Sequence, residues 1–393
     1  MSAIPDDIAG AAFLADPAFR KVVAAVAVDG DVALAVGGAV RNTLMGLPVA
    51  DVDVATTALP ATVMERARAA GLKAVPTGIE HGTVTVVADH VGFEVTTLRS
   101  DVETDGRRAT VAFTRDIAED AGRRDFTMNA IYADLAGQLT DPTGGVADAF
   151  ARRVRFIGDA TLRIREDYLR ILRFFRFHAA IGAGEPDAVG LAACVALADG
   201  LDRLSRERIG QETRKLVVAP GAPETVDLMA RVGILPHVLG EAGDPRRFSR
   251  LVERARESDA VIDPALALAG LADAGAAVLT GRLRLSKAEE ARIEAIRGAA
   301  AALGPAPDER AVRLSVYRVG NEVTLGALLL AAATADGPLS PHAQIAASWR
   351  APRFPVTGRR LVAEGWRPGP DLGRRLAELE AAWIDETFGP EPG

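Results

Sequence analysis

Cysteine is almost missing from this chain of 393 residues: Cys194 stands alone, so neither an intramolecular disulfide nor a cysteine-rich zinc site can be built. Set in an alanine-rich stretch with helical spacing, it reads as a small buried hydrophobe. Lysine is also scarce, occurring only at Lys21, Lys73, Lys215 and Lys287, so the basic residues are nearly all arginine, whose planar fork suits phosphates and base edges. The five histidines form no HExxH pair and no His-Asp dyad, which speaks against a phosphohydrolase domain. No stretch approaches the roughly 20 uncharged apolar residues that a membrane helix requires. Met1–Gly10 carries acids and no basic segment ahead of an apolar run, so no secretory leader is expected. A soluble, cytoplasmic protein without a membrane partner is the expectation, and no oligomeric state follows.

The net charge of −7 disfavours nucleic acid on its own, but its distribution matters more. Arginines crowd between Arg99 and Arg214, and such a local basic stripe is compatible with RNA binding. The length implies two or three domains, and an apolar fraction of 49% supplies ample core.

Apolar spacing predicts a helix over residues 5–29, a buried strand over Val32–Val36, and a short helix from Ala39 to Met45. A second strand is expected at Val52–Ala55, a helix from Pro60 to about Ala70, and alternating strands at His81–Val87 and Gly92–Leu98. The polar, charged segment from Ser100 to Arg123, with Gly106 inside it, reads as a mobile loop. Beyond Ala151 strand signals vanish and helical spacing takes over. The fold class is α+β, a small mixed sheet with helices in a head over residues 1–150, followed by an all-α region.

Three constellations carry chemistry. In Gly37-Gly38-Ala39-Val40-Arg41 a glycine pair between strand and helix lets backbone amides approach a phosphate, and Arg41 adds a charged fork. It is neither a P-loop nor a dinucleotide fingerprint. In Asp51-Val52-Asp53, placed on a strand, the two carboxylates share one face with Val52 in the core. They repel unless a cation sits between them, and magnesium takes such oxygen ligands together with substrate phosphates. Glu94 is a third carboxylate if its strand lies beside the first. In Glu166-Asp167-Tyr168-Leu169-Arg170-Ile171-Leu172-Arg173-Phe174-Phe175-Arg176, helical spacing puts Arg170, Arg173 and Arg176 on one arc with Asp167 just beyond it. Tyr168, Ile171, Leu172 and Phe175 lie on the buried side.

These runs, with Glu94-Val95-Thr96-Thr97-Leu98-Arg99, Arg123-Arg124-Asp125-Phe126-Thr127-Met128-Asn129-Ala130 and Asp141-Pro142-Thr143-Gly144-Gly145, occur in an order that resembles the class II tRNA nucleotidyltransferases and their bacterial poly(A) polymerase relatives. The likeness spans roughly residues 30–215. It departs at Asn42, where the family commonly has aspartate, which bears on any salt bridge from that position. The resemblance implies a nucleotidyltransferase head at 1–150, a helical neck at 151–215 and a tRNA-binding helical body and tail at 216–393. It implies that Gly38, Arg41 and Arg124 bind the incoming nucleotide and that Asp51 and Asp53 hold Mg2+ in a two-metal mechanism; Glu94 is counted among the catalytic acids from its strand position. Asn129 is expected on the sugar.

Cytosine and adenine both show an amino donor beside a ring-nitrogen acceptor, so a carboxylate and a guanidinium at Asp167 and Arg170 would suit both, with Arg173 and Arg176 reaching phosphates. Arg206-Glu207-Arg208-Ile209-Gly210-Gln211-Glu212 resembles the family's last motif and is expected to brace that helix. The implied activity is addition of C, C and A from CTP and ATP to the 3′ end of tRNA, with the acceptor arm as partner. Poly(A) synthesis is one alternative, less similar because Val75-Pro76-Thr77-Gly78-Ile79-Glu80 lacks a basic-aromatic run. CC-only addition is another, less similar because the segment before Arg123 is full length. A non-catalytic RNA-binding protein is the third, opposed by the intact acids and arginines.

Overall fold

Asp16 opens the first long helix by accepting hydrogen bonds from the amides of Ala18 and Phe19 at 2.8 and 3.0 Å, and Pro17 takes the position where no amide donor is needed. In the computed structural model, which describes residues 7–104, 109–386 and 388, this helix is Pro17–Val26. A separate turn, Ala12–Ala15, precedes it, so the expected continuous helix over 5–29 is broken where Asp16 and Pro17 restart the chain.

Phe19, Val22, Val23 and Val26 face a seven-stranded sheet of order β3-β4-β5-β2-β1-β8-β9. The strands are β1 (Ala33–Val36), β2 (Asp53–Thr56), β3 (Lys73–Gly78), β4 (Thr83–Ala88), β5 (Val91–Thr97), β8 (Tyr132–Ala133) and β9 (Leu139–Thr140). All neighbours are antiparallel except β2 and β5, which run parallel with Val54 abreast of Val95. Alternation decides the faces: Val84, Val86, Phe93, Val95 and Val54 are buried beneath Pro17–Val26 and the helix Pro60–Ala69. On the other face Val36, Ala55, Leu98, Tyr132 and Ile157 form a second cluster.

Two expectations change. His81 ends a short 3-10 turn, Ile79–His81, and the strand begins at Thr83. The segment expected as a loop is a two-stranded hairpin, β6 (Arg99–Thr104) with β7 (Ala109–Phe113), followed by the helix Ile117–Gly122. Among the described residues each strand of that hairpin pairs with the other alone, which polar composition hides. Gly106 lies outside the described residues.

After residue 140 every regular element among the described residues is helical. Leu169–Ile181 packs against Arg206–Val217 and buries Ile171, Leu172 and Phe175 as expected, together with Phe174. The Phe126 ring meets Phe156 at 4.9 Å and Phe177 at 5.4 Å, while Phe156 stacks on Phe174 at 5.6 Å, so the helix Leu169–Ile181 shares a core with the RRD segment. Cys194 is fully buried in Ala188–Ala196.

The chain forms two compact units, one running to Thr225 and taking in Arg231–His237, the other holding Val226–Ala230 and the chain from Val238 onward. The boundary expected near 150 falls inside the first. In the second, Asn321–Ala335 buries an almost wholly apolar run from Gly326 to Ala333, covered by Lys287–Leu303 and Pro245–Glu257. No single helix among the described residues is long and apolar enough to cross a membrane.

Candidate active site

β1 stops at Val36 because Gly37 turns away with φ +70° and ψ −118°, a conformation that favours glycine. A Cβ there would stand 3.5 Å from the Asn129 carbonyl oxygen and 3.8 Å from Nη1 of Arg124. The Gly37 amide donates to the Ile131 carbonyl at 3.1 Å, and Gly38 begins the short helix Gly38–Leu44, which carries Arg41.

That turn also ends the neighbouring strand. Asp53 pairs with Val36, the last residue of β1, so β1 offers no partner further back. Asp51 and Val52 therefore precede the strand, contrary to the expectation that both acids sit on it. Val52 is half-buried and Asp51 and Asp53 are exposed. The β2–β5 register sets Glu94 beside Asp53 on the face opposite Val54 and Val95. Crowding by the surrounding protein raises the Asp53 carboxyl above its usual range although its tip is open to water. Glu94 and then Asp51 push the same way, and Arg124 opposes them.

The three acids are thus coupled through charge. They do not close into a cage: among the described residues no group of three or more His, Cys, Asp or Glu side chains is set to enclose a metal ion. Magnesium fits this donor set, because it takes one or two carboxylates and fills its remaining positions with water and substrate phosphate.

Arg124 is fixed by a residue the sequence reading passed over. The Asp120 carboxylate is only 1% exposed and accepts from Nε and Nη2 of Arg124, both at 3.1 Å, from Nη2 of Arg123 at 2.6 Å, and from the Tyr132 hydroxyl at 2.7 Å. Burial alone would raise Asp120, but Arg124, Arg123 and Tyr132 together bring it below the usual carboxylate range. Arg124 also stands over the Tyr132 ring at 5.4 Å.

Arg41 is held by two side-chain amides. It donates to the side-chain oxygen of Asn42 at 2.8 and 3.1 Å and to that of Asn129. Burial, with Arg176 and Arg173 nearby, pushes its pKa down to about 10 against the pull of Asp125, so it stays cationic at neutral pH. Asn129 passes the chain on by donating to Asp125 at 3.0 Å. Asp125 in turn accepts from Nε and Nη2 of Arg173, at 2.7 and 2.5 Å.

The two arginines expected to reach phosphates each have a carboxylate partner within the protein. Arg173 is clamped on Asp125, and Arg176 is held by Glu212 of the helix Arg206–Val217. Three guanidinium groups gather over one ring, those of Arg41, Arg173 and Arg176 lying 5.2, 5.3 and 4.0 Å from the Phe177 centroid.

Asp167 is not on the helix face where spacing put it. It lies in the break between Ala160–Glu166 and Leu169–Ile181, with φ −155° and ψ 105°. Its carbonyl accepts the Arg170 amide at 3.0 Å, which keeps the two residues one turn apart. Both carboxylate oxygens accept from Arg208. Arg170 donates to Glu166 and to the Arg163 carbonyl, while Arg163 reaches back to the carbonyls of Arg123 and Arg124. The template segment and the RRD segment are therefore stitched together.

Asp120, Tyr132 and Arg163 were the functional neighbours missed, whereas Arg208 and Glu212 lie in the segment expected to brace the template helix and hold Asp167 and Arg176 there. Asp120 and Arg163 carry the one available signal, charges spaced three or four residues from their partners. The sequence Asp141-Pro142-Thr143-Gly144-Gly145 is explained by a turn: Asp141 accepts the amides of Gly145 and Val146 at 2.8 and 2.9 Å.

The Poly A polymerase head domain family matches residues 33–155, and the family described as the probable RNA and SrmB- binding site of polymerase A matches residues 187–243. The mitochondrial CCA tRNA nucleotidyltransferase 1 of Danio rerio is 35% identical over 364 residues, covering 90% of this chain and 83% of its own. The Mus musculus protein of the same name is 34% identical at the same coverage. A crystal structure of the Bacillus stearothermophilus CCA-adding enzyme in complex with CTP aligns with a TM-score of 0.77 at 30% identity, covering 95% of this chain and 94% of that one.

Proposed function

This chain belongs to the CCA-adding tRNA nucleotidyltransferase family, and we propose that it adds C, C and A from CTP and ATP to the 3′ end of tRNA, releasing pyrophosphate at each addition. The observation that carries this reading is the register that sets Asp53 opposite Val36 at the lip of the Gly37 turn, with Glu94 alongside and Arg124 facing Asp53. An acidic edge that attracts a cation meets a cationic edge that attracts phosphate, which is what nucleotidyl transfer from a metal-bound triphosphate requires.

The family's chemistry is metal-dependent, and we assign Mg2+ to Asp51 and Asp53. When bound, the ion favours ionisation of the RNA 3′-hydroxyl and neutralises charge on the departing pyrophosphate. The protein's own part is placement. Gly37 and Gly38 let the triphosphate come close to the backbone, while Arg41 and Arg124 supply charged donors to it. The RNA 3′ oxygen bonds to the α-phosphorus, the bond from that phosphorus to the oxygen bridging to the β-phosphate breaks, and pyrophosphate leaves.

Asp167 and Arg170, one turn apart, read the amino donor and ring-nitrogen acceptor that cytosine and adenine share. Arg173 and Arg176 act as struts under Arg41. In this reading residues 1–150 are the catalytic head, 151–215 the template-bearing neck, and 216–393 the body and tail that hold the tRNA acceptor arm. The cytoplasm supplies ATP, CTP and tRNA. The mitochondrion, named for the vertebrate relatives, supplies the same three.

The test is incubation with a tRNA ending before CCA and each labelled nucleoside triphosphate in turn. Sequential C, C and A is the expected product. A long A tract from ATP alone would make the chain a poly(A) polymerase, and arrest after two C residues would make it a CC-adding enzyme.

A further inference from the structure

Asp167 has no helix to orient it. What fixes its carboxylate is a fork from 41 residues away: Nη1 of Arg208 donates to Oδ1 at 3.1 Å and Nη2 to Oδ2 at 2.7 Å. The Leu169 amide adds a third bond, to Oδ1, at 3.1 Å. Arg208 is itself anchored near the start of Arg206–Val217, where its amide donates to the capping hydroxyl of Ser205 and where the helix lies along Leu169–Ile181.

An ionised carboxylate offers about four lone-pair positions, and this one has three filled. The position left is on Oδ2, which matches the single amino hydrogen that a pairing edge of cytosine or adenine directs at its partner. The pair is partly exposed, with side chains 46% and 32% accessible for Arg208 and Asp167, so it contributes little to stability, and what it supplies is direction.

We propose that Arg208 is a positioning residue for base selection, aiming the remaining acceptor of Asp167 at the incoming base. The inference rests on the base-reading role given above to Asp167. A guanidinium suits the task because its two parallel donors define a plane, whereas an ammonium pins one oxygen and leaves the carboxylate free to rotate.

The experiment measures kcat/KM for CTP, ATP, UTP and GTP on tRNA lacking CCA, with the Tm of each protein, for wild type, Arg208→Gln, Arg208→Lys, Asp167→Ala and the double variant Arg208→Gln with Asp167→Ala. Arg208→Gln should narrow the preference for CTP and ATP over UTP and GTP by about tenfold, with Arg208→Lys between it and wild type. In the Asp167→Ala background Arg208→Gln should change the preference by less than about twofold, because the group it positions is gone. A uniform fall for all four nucleotides, or effects of the two substitutions that simply multiply, overturns the proposal. Wild type with no preference for CTP and ATP overturns the parent reading instead, so the two failures are told apart.

Discussion

Asp125 and Arg173 stand 48 residues apart in the chain, yet Nε and Nη2 of Arg173 both donate to one oxygen of Asp125, at 2.7 and 2.5 Å. The bond ties the RRD segment to the template helix. Asn129 carries the connection on to Arg41, so the phosphate turn and the base-reading segment share one polar chain.

Asp125→Asn should therefore cost stability as well as activity. The carboxylate is largely buried while Arg173 is partly exposed, so the loss should be about 2–3 kcal/mol rather than that of a fully buried pair. Burial works against ionisation of Asp125, but Arg173, Asn129 and the Phe126 amide hold its pKa below the model-compound value of 3.8. A lowered acid stabilises the fold above its unfolded pKa and loses that contribution as pH falls through the folded one. The wild-type advantage should be full at neutral pH and shrink on acidification below about pH 4. Urea unfolding of both proteins at pH 7 and pH 3 checks this, and a constant difference would contradict it.

Asp120→Asn tests the other hub. Arg124 loses the charged acceptor that fixes both Nε and Nη2, and Tyr132 loses the partner of its hydroxyl. A misaimed arginine weakens binding of the triphosphate whichever base it carries. KM for CTP and ATP should rise together by about tenfold, with their ratio unchanged. A change in the CTP to ATP ratio would place Asp120 in base selection instead.

What was legible in the sequence was local. The glycine pair, the strand that bears Glu94 and the buried face of Leu169–Ile181 all follow from spacing over a few residues, and the structure has them in place. What was not legible depended on partners elsewhere. β2 begins at Asp53 because β1 ends at Val36, a fact about a neighbouring strand. Arg173 and Arg176 look free on a helical wheel, but their acceptors, Asp125 and Glu212, arrive from 48 and 36 residues away. Asp167 was drawn onto a helix that in fact begins at Leu169, since helical periodicity does not register a two-residue break.

Asp53 offers a metal test that does not depend on turnover. Crowding and the neighbouring Glu94 and Asp51 raise its carboxyl, so its ionised form works against the fold at neutral pH. Replacing it by Asn should raise Tm in EDTA, and Mg2+ should raise the Tm of wild type but not that of Asp53→Asn. Equal Mg2+ stabilisation of both proteins would remove Asp53 from the metal site. Asp51→Ala and Asp53→Ala should each abolish transfer of C and of A while leaving the protein folded.

The hairpin of β6 and β7 precedes the RRD segment, where CC-only relatives are expected to be shorter. Deleting residues 105–108 while keeping both strands should leave CC addition intact and impair the terminal A. Gel analysis of single-nucleotide extensions reads this directly. Normal A addition by the trimmed protein would detach hairpin length from the choice between CC and CCA.

Asp167→Ala is the sharpest test of the base-reading assignment. The substitution removes the acceptor for the amino group and leaves Arg208 facing an accessible gap, where water can solvate it, so folding should survive. Arg170 keeps its bonds to Glu166 and the Arg163 carbonyl and still presents its charge near the ring nitrogen. An amino group buried without an acceptor costs about 1–3 kcal/mol, or roughly a tenfold to 150-fold loss. That loss falls on CTP and ATP, whose amino groups meet the site, and not on UTP and GTP, which present a carbonyl at the corresponding place. The margin between the two pairs should narrow by that factor while the acids at Asp51 and Asp53 remain competent. If kcat/KM for all four nucleotides dropped equally, Asp167 would be bracing the helix break against Arg208, and base selection would have to lie elsewhere.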